Sequence, residues 1–281
     1  MLRWTLGAAA AVVMSSGALA ESAAVKRGSY LVNTILTCGN CHTPKGPTGD
    51  IKEKAFTGGL EFDEPPFKVT APNITPDKDT GIGKYTKAQL KKLLITGKRP
   101  NGTPLAEIMP TGFYQIFTPG DLNAVVEYLY SLKPQSNKVP DPIYKIALPH
   151  QVFPGAEKPM PASAMRNKVK RGFYLVTIAH CMECHTPLVP GKGRDFVNDL
   201  GKGGFELKGP WGVTVSRNIT SSKTKGIGDW TDDEIKRAIT EGVRKDGSKL
   251  KPPMGYGYYA GLTKSDLDAI VAYLRTVPAK E

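Results

Sequence analysis

Cys38-Gly39-Asn40-Cys41-His42 and Cys181-Met182-Glu183-Cys184-His185 are two copies of one short pattern in a chain of 281 residues. Cys-x-x-Cys-His is how a c-type haem is attached. Each thiol adds across a haem vinyl group to give a thioether, and the histidine that follows reaches the iron from one side. The spacing is tight because two vinyl carbons and one iron must be met from a single turn. All four cysteines are consumed. Zinc sites built from Cys-x-x-Cys pairs do not require the adjoining histidine. A thioredoxin-like pair wants one copy in a βαβ setting, and no such setting is visible. Two covalently bound haem c groups are therefore expected. Cys38 and Cys41 hold the first, Cys181 and Cys184 the second, with His42 and His185 as axial ligands.

Outward from these turns the chain repeats itself. Arg27-Gly28-Ser29-Tyr30-Leu31-Val32 returns as Arg171-Gly172-Phe173-Tyr174-Leu175-Val176. Asn73-Ile74-Thr75 returns as Asn218-Ile219-Thr220, and Gly81-Ile82-Gly83 as Gly226-Ile227-Gly228, both 145 residues later. Such register reads as a tandem duplication, with one unit over 21–133 and a second over 165–281. Between them, 134–164 is punctuated by Pro134, Pro140, Pro142, Pro149, Pro154, Pro159 and Pro161. That density resists helix and favours extended chain. Its apolar members Ile143, Tyr144, Ile146, Leu148 and Phe153 are expected to dock on the units.

Each unit reads as helical, so the expected fold class is all-α. Thr86 with Gln89 and Thr231 with Glu234 make capping boxes, and Gly97 and Gly242 are the stops. Thr118-Pro119 opens a later helix carrying Leu122, Val125, Val126 and Leu129 at 3–4 spacing. Its twin carries Leu267, Ile270, Val271 and Leu274. Helices are also expected over 25–35 and 169–178, with Gly28 and Gly172 allowing a close crossing of the last helix. No strand pair with a hairpin turn stands out.

The ligand on the other face of each iron decides the function. Methionine keeps the iron six-coordinate and suits electron transfer, whereas an open face suits ligand binding. Of seven methionines, Met1 and Met14 precede the units, Met160 and Met165 lie before the second turn, and Met182 lies within it. Met109 and Met254 remain, separated by the repeat interval and set beside prolines. They are the expected sixth ligands. His150 and His180 have no counterpart in the other unit and are read as surface or hydrogen-bonding residues. Asn73 and Asn218 suggest a turn closing over the haem edge. Tyr85 and Trp230, again 145 apart, either offer a polar hydrogen to a propionate or pack the core.

Residues 1–20 read as an export signal, with Arg3, an apolar run from Trp4 to Met14, and Ala18-Leu19-Ala20 as the cleavage site. The expected location is the periplasm. No later segment is long and apolar enough to span a bilayer, so no transmembrane anchor is expected in the mature chain. The chain has 38 Lys+Arg against 26 Asp+Glu, a net charge of +12. This favours acidic partners and allows peripheral association with anionic membranes. No basic run is dense enough to indicate nucleic acid.

The stretches Arg171-Gly172-Phe173-Tyr174-Leu175, Ala71-Pro72-Asn73-Ile74-Thr75-Pro76-Asp77, Gly226-Ile227-Gly228-Asp229-Trp230-Thr231 and Pro253-Met254-Gly255-Tyr256 resemble the cytochrome subunits of bacterial periplasmic dehydrogenases of the alcohol and gluconate type, and their soluble dihaem relatives. That resemblance implies two tandem class I cytochrome c domains. It implies Cys38, Cys41, His42 and Met109 around one haem, and Cys181, Cys184, His185 and Met254 around the other. It also implies a periplasmic dehydrogenase as electron donor, and quinone, an oxidase or another cytochrome as acceptor. The subunits resembled carry three haems where this chain has two attachment turns, and Tyr85 stands where they have tryptophan. The rival expectation is a dihaem enzyme, peroxidase-like or thiosulfate dehydrogenase-like. The first would lack one methionine, and the second would need a spare cysteine.

Overall fold

Each half opens on a helix that crosses a later helix at a glycine. The computed structural model describes residues 22–47, 49–147, 150–189, 192–209 and 211–281. The expected export signal, and Leu148 and Pro149 of the linker, lie outside them. Helix α1 (Ala23–Tyr30) is capped by Ser22, whose Oγ accepts from the Val25 amide at 3.2 Å. It continues through a π-helical turn, Leu31–Ile35, into the short α2 (Cys38–His42). Helix α3 (Lys87–Thr96) has the expected capping box and ends on left-handed Gly97, and α4 (Pro119–Ser131) closes the half. The second half runs the same order: α5 (Lys168–Ile178), α6 (Cys181–His185), α7 (Asp232–Glu241), a single turn α8 (Tyr256–Tyr259), and α9 (Lys264–Leu274).

Helix α1 packs on α4, and α5 on α9. A Cβ built on Gly28 would lie 1.9 Å from the Ala124 carbonyl oxygen, and one on Gly172 would lie 1.9 Å from that of Ala269. Backbone cannot yield there as a flexible side chain would, so only glycine permits these crossings. Leu31, Val32, Ile35, Val125, Val126 and Leu129 of the first half and Leu175, Val176, Ile178, Ile270, Val271 and Leu274 of the second belong to one continuous core.

The all-α expectation is corrected by four small sheets. Strands β1 (Lys45–Gly46) and β2 (Gly49–Asp50) pair behind the first attachment turn. A hairpin of β3 (Glu61–Glu64) and β4 (Phe67–Thr70) follows, and β5 (Ile143–Tyr144) adds to β4. The second half has β6 (Leu188–Val189) with β7 (Gly193–Arg194), and β8 (Glu206–Gly209) with β9 (Gly212–Val215). These strands escape a sequence reading because they are at most four residues long. In addition, Pro65-Pro66 between β3 and β4 lacks the Asn-Gly or Asp-Gly signal of a tight hairpin.

The proline-rich segment is only partly docked. Phe153 is buried, stacked on Phe113 with ring centroids 5.0 Å apart and edge-on to Phe196 at 5.0 Å. Its amide donates to the Gly112 carbonyl at 3.0 Å. Ile143 and Ile146, expected to dock, are 57% and 58% exposed. Strand β5 is held by backbone pairing to β4, not by burial of its side chains.

The halves exchange hydrogen bonds reciprocally. Arg27 grips Asp121 through Nε and Nη2 at 2.8 and 2.9 Å, and the Tyr174 hydroxyl of the other half donates to the same carboxylate at 2.7 Å. Arg171 pairs with Asp266, and the Tyr30 hydroxyl donates to that carboxylate at 2.7 Å. So the repeated Arg-Gly-x-Tyr run pairs its arginine within its own half and sends its tyrosine across. The two contacts are related as in a two-fold interface.

Candidate haem sites

Thr37 and His180, the residues before the first cysteines, have φ of 48° and 45°. Left-handed backbone is uncommon outside glycine and marks a position that the surrounding structure holds in place. Here it turns the chain abruptly out of the preceding helix and into the five-residue helix bearing Cys, Cys and His. His42 Nδ1 lies 2.7 Å from the Pro72 carbonyl oxygen, and His185 Nδ1 lies 2.6 Å from that of Arg217. A carbonyl only accepts, so Nδ1 carries the proton and Nε2 keeps its lone pair for a metal. Burial pushes both imidazoles below their ordinary pKa, which keeps them neutral.

The next residues are Asn73 and Asn218, and their side chains lock the carbonyl-bearing turn. Asn73 Oδ1 accepts from the Thr75 amide (2.9 Å) and hydroxyl (2.8 Å), while its Nδ2 donates to the Gln135 carbonyl at 2.7 Å. Asn218 repeats this with Thr220 and the Lys280 carbonyl. Both asparagines thus tie the loop beneath the histidine to the segment that follows the last helix of the half. Tyr85 and Trp230 are half-buried against the core. Their backbone carbonyls accept from Tyr130 and Arg275.

No disulfide joins the four cysteines. Burial raises Cys38, Cys181 and Cys184 to about 12 and Cys41 to about 11. A thiol so far from ionisation is a poor thiolate ligand. Neutral sulfurs beside a neutral imidazole with a free Nε2 suit thioether attachment of a haem and its axial ligation, so these residues fit the group.

Met109 and Met254 are half-buried, Met109 against the core beside Pro110 and Met254 directly after a cis Pro252-Pro253 bond. Met109 shares a cavity with Glu107, Phe113, His150, Arg194 and Glu183, the last from the second attachment turn. On the other side, Asn40 Nδ2 of the first turn donates to the Pro253 carbonyl at 3.4 Å. Each methionine segment therefore borders the attachment turn of the opposite half, and the two turns face one another across the interface. His150 lines that cavity, and His180 Nδ1 lies 3.0 Å from Glu183.

Residues 169–278 match the family model for cytochrome c. This part of the chain is a cytochrome c domain. That match covers one half only, so the expectation of two tandem class I cytochrome c domains is corrected along with the all-α class. The chain is 30% identical to the cytochrome c subunit of a quinone-dependent alcohol dehydrogenase from Gluconacetobacter polyoxogenes, over 99% of this chain and 62% of that subunit. It is 41% identical to the fructose dehydrogenase cytochrome subunit of Gluconobacter japonicus, over 94% of this chain and 54% of that one. A dihaem c-type cytochrome of Cereibacter sphaeroides is 28% identical, over 87% and 83% respectively. The chain thus spans about three fifths or less of the length of the two dehydrogenase subunits. A cytochrome c domain implies covalent haem c, and each of these relatives is itself named as a cytochrome. No helix among the described residues is long and apolar enough to cross a membrane.

Several residues of these sites were not foreseen from sequence. The histidine partners at Pro72 and Arg217 are backbone carbonyls, and only the repeated Asn-Ile-Thr beside them marks the place. Tyr114 and Tyr259, at the repeat interval, lie near the cysteines of their own halves, and burial holds both phenols well above their ordinary pKa. The Tyr258 hydroxyl of the second half donates to Asp50 of the first, and the Tyr258 ring abuts Gly39. Glu107 is raised to about 7 by burial and by the charge of Glu183.

Proposed function

We propose that the chain is an exported dihaem cytochrome that accepts single electrons from a periplasmic dehydrogenase and passes them to a respiratory acceptor, quinone, an oxidase or another cytochrome. One haem is held by Cys38 and Cys41 in the half spanning 21–133, and the other by Cys181 and Cys184 in the half spanning 165–281, with 134–164 between. His42 and His185 ligate from one face, Met109 and Met254 from the other. Each bound haem supplies a centre that is reversibly reduced by one electron.

The observation that carries this reading is the pair of Nδ1-to-carbonyl hydrogen bonds. The protein spends a fixed acceptor in each half to orient a neutral imidazole, and it does so twice with the same geometry. Asn73 and Asn218 hold those acceptors in place, and the buried thiols sit beside them. Tyr85 and Trp230 pack beside the haem edges. The names of the two dehydrogenase subunits support a dehydrogenase as donor, and the net charge of +12 favours an acidic one.

A dihaem enzyme would keep one iron open to a small ligand. Adding carbon monoxide to the reduced protein separates the two readings. An unchanged spectrum is expected at both centres, and rapid binding at either would favour the enzyme.

A further inference from the structure

The two halves differ in charge where their first and last helices begin. In the second half a cleft of about 440 Å³ lies between the opening turns of α5 and α9, lined by Arg166, Lys168, Arg171, Lys264, Ser265 and Asp268. Four cations there face one carboxylate, and that carboxylate is already engaged. Asp268 lies 2.6 Å from Lys236 and 2.9 Å from Lys264. Arg171 pairs with Asp266 and donates to Ser265 Oγ at 3.1 Å, which leaves the serine its own proton to donate. Arg166 and Lys168 are exposed, and among the described residues neither has an ion-pair partner. The repeat supplies a control. At the positions of Arg166, Lys168 and Lys264 the first half has Ser22, Ala24 and Pro119, and it keeps only the arginine, Arg27, held by Asp121 at 2.8 Å. The same helix crossing forms there without the added cations, so packing does not account for them. Like charges gathered at one opening repel unless an anion sits among them.

We propose that this cleft binds a phosphate group, free or carried by the headgroup of an anionic lipid. Lys168 and Lys264 supply compact point charges, Arg166 a planar fork of donors, and Ser265 a hydroxyl. A tetrahedral group of more than one negative charge uses donors that converge from several sides, whereas a carboxylate offers one charge in one plane. Val169, 38% exposed beside Lys168, adds an apolar side chain to the rim, which suits a headgroup at a membrane surface. The inference rests on the cleft alone and stands apart from the number of haems and from the electron donor.

The test uses the purified holo-protein in two arms. One titrates inorganic phosphate by calorimetry against chloride at matched ionic strength. The other sediments the protein with vesicles of phosphatidylglycerol or of phosphatidylcholine. Saturable phosphate binding or a preference for phosphatidylglycerol is expected, the first arm alone marking a free anion and the second a lipid headgroup. Arg166→Gln combined with Lys168→Gln is expected to weaken whichever binding is seen by roughly twentyfold, from the loss of two surface cations. Lys52→Gln combined with Lys54→Gln removes two exposed charges from the first half and is expected to leave binding unchanged. Three results would overturn the inference: no binding in either arm, binding untouched by the Arg166 and Lys168 substitutions, or equal weakening by the Lys52 and Lys54 pair, which would mark a response to net charge alone.

Discussion

Around the attachment turns the two halves are nearly interchangeable, and away from them they part company. Both place a left-handed residue before the first cysteine, both aim Nδ1 at a carbonyl, and both lock that carbonyl with an asparagine. Yet the first hairpin pairs with a third strand, β5, and buries Phe67 and Val69 against Ala106, whereas in the second the same two positions are Gly212 and Thr214, and Val213 and Val215 on the other face are exposed. On the α3–α4 face, Lys91 donates to neutral Asn123 at 2.7 Å, whereas on the α7–α9 face Lys236 meets charged Asp268 at 2.6 Å. The difference teaches where the repeat is constrained. Backbone geometry that holds a histidine and two sulfurs leaves no latitude, while a hairpin tip or an exposed ion pair tolerates any solution that stays folded.

The largest effect should come from the crossings. Gly28→Ala and Gly172→Ala each drive a methyl group into backbone, and each is expected to lower stability by about 3 kcal/mol, read by thermal denaturation of the holo-protein. Equal losses support equivalent halves, and a benign variant in either half breaks the equivalence.

The reciprocal carboxylates come next and should not be equal. The Asp266 side chain is 2% exposed and that of Asp121 13%. Asp266→Ala strands Arg171 and the Tyr30 hydroxyl in a drier site, so it is expected to cost about 3 kcal/mol and Asp121→Ala about half as much. Urea unfolding would measure both, and the reverse order would show that burial does not set the energetics here. Smaller again, Asn73→Ala and Asn218→Ala each remove an amide whose oxygen and nitrogen are both used, for about 1–2 kcal/mol. Either loss should be accompanied by a change in the nuclear magnetic resonance shifts of the histidine ring above the altered turn.

The smallest effect separates the α3–α4 and α7–α9 faces by pH. Hydrogen bonds and charges from Lys236 and Lys264 depress Asp268 to about 2. A carboxylate whose pKa is lower in the folded than in the unfolded chain stabilises above the unfolded value and loses that contribution as pH falls through about 2. Acid should therefore loosen α9 from α7 while leaving the neutral Lys91–Asn123 contact intact, and Asp268→Asn should abolish the difference. Hydrogen exchange of α9 between pH 4 and pH 2 follows the effect on the order of its small size.

Much of this was legible in the chain itself, for local reasons. The attachment turns are short-range chemistry, the capping boxes at Thr86–Gln89 and Thr231–Glu234 are three-residue relations, and Gly28 and Gly172 stand out inside helical patterns. What stayed hidden is long-range or carried by backbone. The acceptors for His42 and His185 are carbonyls that any residue could supply. The Tyr30–Asp266 and Tyr174–Asp121 bonds join residues far apart in sequence. The hairpins are too short to show a period of two. Strand β5 hides in a proline-rich stretch because pairing with β4, and not its own side-chain pattern, makes it a strand.

The claim on which the rest depends is that each half carries its own haem with sulfur opposite imidazole. The direct test is to count haem per chain in the purified protein and to record the Met-to-iron charge-transfer band of the ferric form for the parent, Met109→Ala and Met254→Ala. Two haems are expected, with half of the band lost in each variant and the midpoint potential of one haem lowered each time. A single haem per chain, or a band and potentials untouched by either substitution, would contradict the account.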